Sequence, residues 1–364
     1  MNYWEYIRVE ELLRLQGGTE GDESKLSNDE VLFIVVHQVY ELWFKLVLRE
    51  LEAARDLFNQ NPVPDMALAD ATRSFRRVST IFDQAVTHFE VMETMTTRDY
   101  LGFRDALIGA SGFQSAQLRE MEILLGLDDG QRLTLGAEGT YRDALRAKDG
   151  SASVALARVD RRLASGPTLK QVVYAWLART PVSKESPEKF LQDVIEAHRA
   201  EMHKRLGLVE TQLQLSKADL DLWRQRYERE AESAAKFLMA EEEPELPEAD
   251  KAERRKVRAA LVFLESYREL PRLAWPREAL DALVAMEQRL LIWRQRHARM
   301  VERVIGRRVG TGGSSGVDYL DQTALKYRVF GDVWTIRTLL LQKTAVPSID
   351  HADDFRFRVE DELP

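Results

Sequence analysis

The chain has no cysteine among its 364 residues. That one absence removes disulfides, iron–sulfur clusters, thiolate-ligated haem, covalent CxxCH haem and cysteine zinc sites together. It fits a cytoplasmic protein. A basic excess is also missing: 60 acidic residues outweigh 52 Lys and Arg, for a net charge of −8 and a pI near 5.5. Without surplus cations to displace counterions, nucleic acid is not expected as a partner. No run approaches ~18 uninterrupted apolar residues, so no membrane span is expected either. The opening MNYWEYIRVEELL lacks the basic–apolar–small order of a signal peptide and reads as mature sequence.

Histidine is scarce. There are six: His37, His88, His198, His203, His297 and His351. With no thiolate available, any transition metal would depend on these few imidazoles.

What the chain does have is apolar residues (45%) and charge (31%), enough to bury a substantial core. The patterning is helical almost throughout. Ser27-Asn28-Asp29-Glu30 reads as a capping box opening a long amphipathic run to Phe58. Further helices are expected at about 66–94, after the turn Asn61-Pro62-Val63-Pro64, and at about 113–125 and 168–178. A long, highly charged helical stretch follows at about 187–240, and the charged middle as a whole is open to folding as an antiparallel helical hairpin. The acidic turn around Pro244 and Pro247 breaks the stretch, and helices at 249–268 and 276–305 come next. No series of strands and no internal repeat is visible. The expected class is all-α: one catalytic unit over 1–364 with a charged helical insertion at about 140–270.

The histidines discriminate between chemistries. No histidine has a glutamate three residues before it, which excludes the Glu-x-x-His pairs of di-iron bundles. His198 and His203 have the wrong spacing for His-Glu-x-x-His and read as a solvated helix face. His37 and His297 differ, because each lies on the apolar stripe of a long helix, near Phe33 and Tyr40 or near Trp293 and Val301. An imidazole walled by aromatic and aliphatic side chains suits a haem pocket, which needs one axial nitrogen and a large apolar face. A core histidine satisfied by a backbone carbonyl fits the spacing equally well.

Two segments add polar anchors. Tyr100 and Arg104 are four apart, on one face if the segment is helical, and arginine offers a fork that matches a carboxylate. A salt-bridged surface arginine is the plainer alternative. In RVGTGGSSGVDYL, Gly310 to Gly316 carry nothing larger than threonine. A phosphate loop would need a lysine, and none occurs between Lys256 and Lys326.

Four stretches together resemble the tryptophan 2,3-dioxygenase family: YWEYIRVEELLRLQ (3–16), DEVLFIVVHQVYELWFK (29–45), FEVMETMTTRDYLGFRDALIGASGFQS (89–115) and WRQRHARMVERVIGRRVGTGGSSGVDYL (293–320). The middle of the chain resembles animal-type members in layout. The resemblance implies an all-α helical bundle enclosing haem b, ferrous when active, in a cytoplasmic homotetramer. It also implies cleavage of the C2–C3 indole bond of L-tryptophan by O2, giving N-formyl-L-kynurenine as the first step of the kynurenine pathway. His297 matches the proximal iron ligand and His37 the distal histidine facing the indole N–H. Arg104 matches the carboxylate clamp, and Thr311 the hydroxyl at the ammonium and carboxylate end. Phe33 and Tyr100 match pocket walls, while Tyr3 and Tyr6 match tyrosines that close a neighbouring subunit's pocket.

Two departures stand out. Only two residues precede Tyr3, where many members have a longer tail. WLARTP (176–181) resembles part of a second, non-catalytic tryptophan site, but Pro64-Asp65-Met66 stand where an arginine and an acid would complete it. Two other readings remain: a related haem monooxygenase acting on a modified tryptophan or tyrosine, and a non-catalytic haem sensor.

Overall fold

Ser27 starts the first long helix by accepting the Glu30 backbone N–H at 3.2 Å, and similar local chemistry sets most boundaries. The computed structural model describes residues 1–107, 114–134, 139–147, 149–182, 184–213, 215–308, 316–349 and 352–356. Among them are fifteen α-helices and no strand. In order they are α1 Tyr3–Tyr6, α2 Val9–Leu12, α3 Asn28–Phe58, α4 Asp65–Met92, α5 Thr97–Phe103, α6 Ala116–Leu125, α7 Tyr141–Ala144 and α8 Val154–Leu163. Then come α9 Leu169–Ala178, α10 Pro187–Gln212, α11 Lys217–Leu238, α12 Glu248–Ser266, α13 Ala274–Ile305, α14 Gly316–Lys326 and α15 Gly331–Leu339.

The caps explain the stops. Ser186 with Pro187 at the first position opens α10, and Ser216 opens α11. Gly126, at φ +106°, ends α6 in the left-handed conformation that glycine adopts without penalty. The stretch read as one helical run over 187–240 is therefore two helices, α10 and α11, packed on each other. The sequence reading left out α1, α2, α7, α8, α14 and α15.

The chain divides into two compact units. Unit 1 comprises Met1–Arg55, Arg73–Leu169 and Ala285–Val329. Its core has two parts. One is aromatic: Tyr40 and Phe44 of α3, Phe82 and Phe89 of α4 and Trp293 of α13, with ring centroids 5.1–6.3 Å apart. The other joins Ile123, Tyr141, Leu145, Leu156, Val159 and Tyr319. Each fully buried phenylalanine contributes about 1.5–3 kcal/mol of transfer free energy.

Unit 2 comprises Asp56–Thr72, Lys170–Val284 and Phe330–Pro364. Here α10 packs on α11 and α12, and Phe190, Phe263 and Tyr267 form a ring cluster. Arg258, nearly fully buried, pairs with Glu242 and with Asp332 (2.8 Å). His198 lies buried in α10, so the predicted solvated face is wrong for that residue; His203 is exposed as expected. The buried face of α10 runs from Phe190 through Val194 and His198 to Met202.

One helix among the described residues, α3, is long and apolar enough by composition to cross a membrane. Scattered charges broke it into short runs in the sequence reading. Its Val36, Tyr40, Phe44, Val47 and Leu51, at spacings of three and four, are buried in unit 1.

Candidate active site

Two helices of unit 1 carry the two distinctive histidines. On α3, Phe33 and His37 are one turn apart, and their ring centroids lie 4.1 Å from each other. The Phe33 carbonyl is 2.7 Å from His37 Nδ1. A carbonyl only accepts, so Nδ1 carries the proton, and a neutral ring then leaves Nε2 as a lone-pair acceptor. Desolvation lowers the His37 pKa, against the Phe33 carbonyl and the Glu41 charge, which raise it. The ring also keeps a solvent-accessible surface.

His297 on α13 is held by its neighbours' faces. Phe89 stacks parallel to it (3° between planes, 5.5 Å) and Trp293 lies 5.3 Å away at 28°. Burial lowers its pKa to about 4, and the charges of His37 and Arg294 add to the effect. Among the described residues neither ring nitrogen of His297 has a hydrogen-bond partner. That leaves a neutral imidazole, fixed in rotation, with a lone pair uncommitted.

The walls come from α5. Thr96 and Asp99 form a capping box that starts this short helix. Tyr100 and Phe103 are buried and bring their rings to 6.4 and 5.5 Å from Phe33, with 5.5 Å between them. Arg104 follows directly, half-buried, at the point where the helix tightens to a 3₁₀ turn. Residues 100–103 are α-helical and Arg104 itself keeps right-handed helical dihedrals (φ −52°, ψ −34°), so Tyr100 and Arg104 stand one turn apart at the end of α5. Phe33, His37, Tyr100 and Arg104 lie on packed neighbouring segments. Thr311 and the loop from Gly310 to Ser315 lie outside the described residues.

Tyr3 and Tyr6 sit elsewhere in character. Both are 74% exposed, and α1 and α2 bury no residue. The root of this segment is fixed beside the site by residues that the sequence reading passed over. Gln16 Nε2 donates to Gln38 Oε1 at 2.7 Å, and Gln38 Nε2 donates to the Leu15 carbonyl at 2.8 Å. Gly17 completes the turn, because a Cβ there would lie 2.4 Å from the Gly21 carbonyl carbon. The glutamine pair, Phe89 and Phe103 were all missed; a glutamine directly after His37 on an otherwise apolar stripe was the visible signal for the first.

In unit 2, Trp176 of WLARTP packs its ring 5.2 Å from Phe58, and Arg179 Nη2 donates to the Gln60 carbonyl at 3.3 Å. Both residues thus have structural employment. No group of three or more His, Asp or Glu side chains placed to hold a bare metal ion occurs among the described residues.

The sequence pattern of the family described as tryptophan 2,3-dioxygenase matches residues 1–340. A protein of Sorangium cellulosum named tryptophan 2,3-dioxygenase is 63% identical, over 99% of this chain and 88% of its own length. Tryptophan 2,3-dioxygenase 2 of Ralstonia nicotianae is 56% identical, over 99% of this chain and 98% of its own. Tryptophan 2,3-dioxygenase B of Danio rerio is 34% identical, over 96% and 84% respectively.

Proposed function

Because this chain belongs to the tryptophan 2,3-dioxygenase family, we propose that it is a haem-dependent oxidoreductase opening the indole ring of L-tryptophan. The reaction adds both atoms of O2 across the C2–C3 bond to give N-formyl-L-kynurenine, and consumes no reductant. We assign it to the first step of the kynurenine pathway. The observation that supports the site assignment is His297 packed between the rings of Phe89 and Trp293, with no hydrogen-bond partner for its ring nitrogens among the described residues.

The residues present fit a haem. The donor set offers a single neutral imidazole, His297, walled by Phe89 and Trp293, where a bare metal would need several ligands. Haem b, ferrous in the active state, would supply dioxygen activation there.

The chain's own residues would do the positioning. His37 Nε2, the free acceptor left by the Phe33 contact, receives the indole N–H. Arg104 clamps the carboxylate with a two-pronged, charge-assisted contact. Thr311 holds the ammonium and carboxylate end, and Phe33 and Tyr100 flank the indole. Fixing the substrate at three polar points brings C2 and C3 to the reacting oxygen, the orientation that contributes most to such catalysis. His37 does not need to remove the indole proton. Indole N–H is far less acidic than imidazolium (pKa about 6.5), so a hydrogen bond that strengthens as positive charge develops costs less.

The same reading makes the protein a cytoplasmic homotetramer and one catalytic unit with a helical insertion at about 140–270. The exposed apolar residues support self-association: Tyr3, Trp4, Tyr6, Leu13 and Leu15 at the N-terminus, with Leu42 and Leu46 on α3. A subunit contact over this surface would bring Tyr3 and Tyr6 to a neighbour's pocket.

Turnover of L-tryptophan by ferrous protein under ¹⁸O2 tests the function. Two labelled oxygens per N-formyl-L-kynurenine are expected. One label per product would make it a monooxygenase, and haem binding without turnover would make it a sensor.

A further inference from the structure

Unit 1 buries a charge cluster that none of these roles uses. At its centre is Glu122 of α6, 2% exposed. Arg294 Nη2 donates to Glu122 Oε1 at 2.7 Å and Arg132 Nη1 to Oε2 at 2.7 Å. Arg119 Nη1 spans both oxygens at 3.2 and 3.0 Å. Burial opposes ionisation of Glu122, but the charges of Arg119, Arg294 and Arg132 outweigh it and hold the pKa down at about 2.

Among the described residues the charges do not balance. Three buried guanidiniums against one buried carboxylate leave two positive charges, or one if the exposed Asp129, 3.0 Å from Arg132 Nε, is counted. The arginine side chains are only 3, 7 and 6% exposed. Each also buries an N–H group with no acceptor among the described residues: Arg119 Nε, Arg132 Nη2 and Arg294 Nε. The faces of Tyr141, 4.4 Å from Arg132, and Tyr327, 5.1 Å from Arg294, take up part of the charge.

Such a cluster is a poor way merely to fasten α6 to α13. Buried ion sets recover their desolvation cost only when every donor is satisfied, and well-packed apolar side chains hold helices at least as firmly. Its placement suggests a different use. Arg294 precedes His297 by one turn of α13, so the surplus charge is built into the helix that presents the imidazole.

We propose that Arg119, Arg132 and Arg294, tempered by Glu122, are positioning residues that set the electrostatic field at His297 and favour ferrous over ferric haem. This deepens the haem reading above and rests on it. Ferric haem carries one more positive charge than ferrous haem, so a surplus of buried cations nearby disfavours the ferric state. A dry interior lets that field act with little screening.

Spectroelectrochemical titration of the full-length, haem-loaded protein tests this, with the electrode supplying the one electron of the ferric-to-ferrous couple. Glu122→Gln removes a negative charge and should raise the midpoint potential. Arg294→Gln and Arg132→Gln each remove a positive charge and should lower it. Each change should alter the ferrous-to-ferric ratio at fixed potential by roughly three- to tenfold, tenfold being about 59 mV for one electron. The double variant Glu122→Gln/Arg132→Gln restores the net charge and should return toward wild type. Packing damage would move all the single variants in one direction, so shifts of the same sign, or none, overturn the proposal. Should Arg294→Gln fail to fold, Arg132→Gln carries the same sign test. A wild-type protein that takes up no haem overturns the haem reading, and this inference with it.

Discussion

His297 supports a test that needs no cofactor. In the folded apoprotein its pKa falls from 6.5 to about 4, chiefly through burial. In the unfolded chain the ring titrates near its ordinary value of about 6.5. Between those values the unfolded chain binds a proton that the folded chain refuses. The stabilisation is therefore complete above pH ~6.5, declines as the pH falls, and is gone below about 4. The whole gap corresponds to about 3 kcal/mol, of which about 2 kcal/mol is lost between pH ~7.5 and ~5.0. Urea unfolding of apoprotein at those two pH values, for wild type and His297→Gln, isolates this ring, since other titrating groups are common to both proteins. Wild type should lose about 2 kcal/mol more than the variant on acidification. Equal losses would refute the claim that His297 is held neutral by its surroundings.

Three other perturbations follow from the geometry. Arg104→Leu removes a charge-assisted clamp of about 2–4 kcal/mol, so the KM for L-tryptophan should rise at least tenfold while that for decarboxylated indole analogues barely moves; equal effects on both would exclude the clamp. Phe89→Ala takes away the parallel face that fixes the His297 ring, and should cost about 3–5 kcal/mol of stability. It should also weaken haem retention, read by competition with an apo-globin; unchanged retention would show that the stack does not orient the ligand. Gly17→Ala places a methyl group against the Gly21 and Asp22 backbone. It should loosen residues 1–16, seen as faster limited proteolysis there, with about 1–3 kcal/mol lost if the strain spreads; an unchanged cleavage pattern would show that the turn accommodates the methyl.

The sequence carried the local part of this account well. Phe33, His37, Tyr40 and Phe44 share a stripe because helical spacing is regular, and the same rule placed His297 near Trp293. The all-α class followed from patterning, whereas the end of α10 at Gln212 and the start of α11 after Ser216 were not anticipated within the charged stretch 187–240. Less visible was anything decided by contacts across long chain separations. Glu122, in the run EMEILL, resembles any surface acid until Arg132 and Arg294 converge on it. The Gln16–Gln38 clasp likewise joins residues from separate segments. The switch from α to 3₁₀ at Arg104 has no strong residue signal, since neither Gly102 nor Arg104 forbids another α-turn. The roles of Arg104, Thr311, Tyr3 and Tyr6 came through resemblance alone, because spacing distinguishes a functional arginine or tyrosine poorly from a surface one.

The central claim is the division of labour between two histidines, His297 holding the haem iron and His37 meeting the substrate. Haem-binding spectra of untagged His297→Ala and His37→Ala, purified and titrated side by side, test it most directly. The account predicts that His297→Ala loses the Soret band of stoichiometric haem, whereas His37→Ala keeps it and retains part of the tryptophan turnover. Normal haem binding by His297→Ala, with loss of haem from His37→Ala, would reverse the assignment and contradict the account.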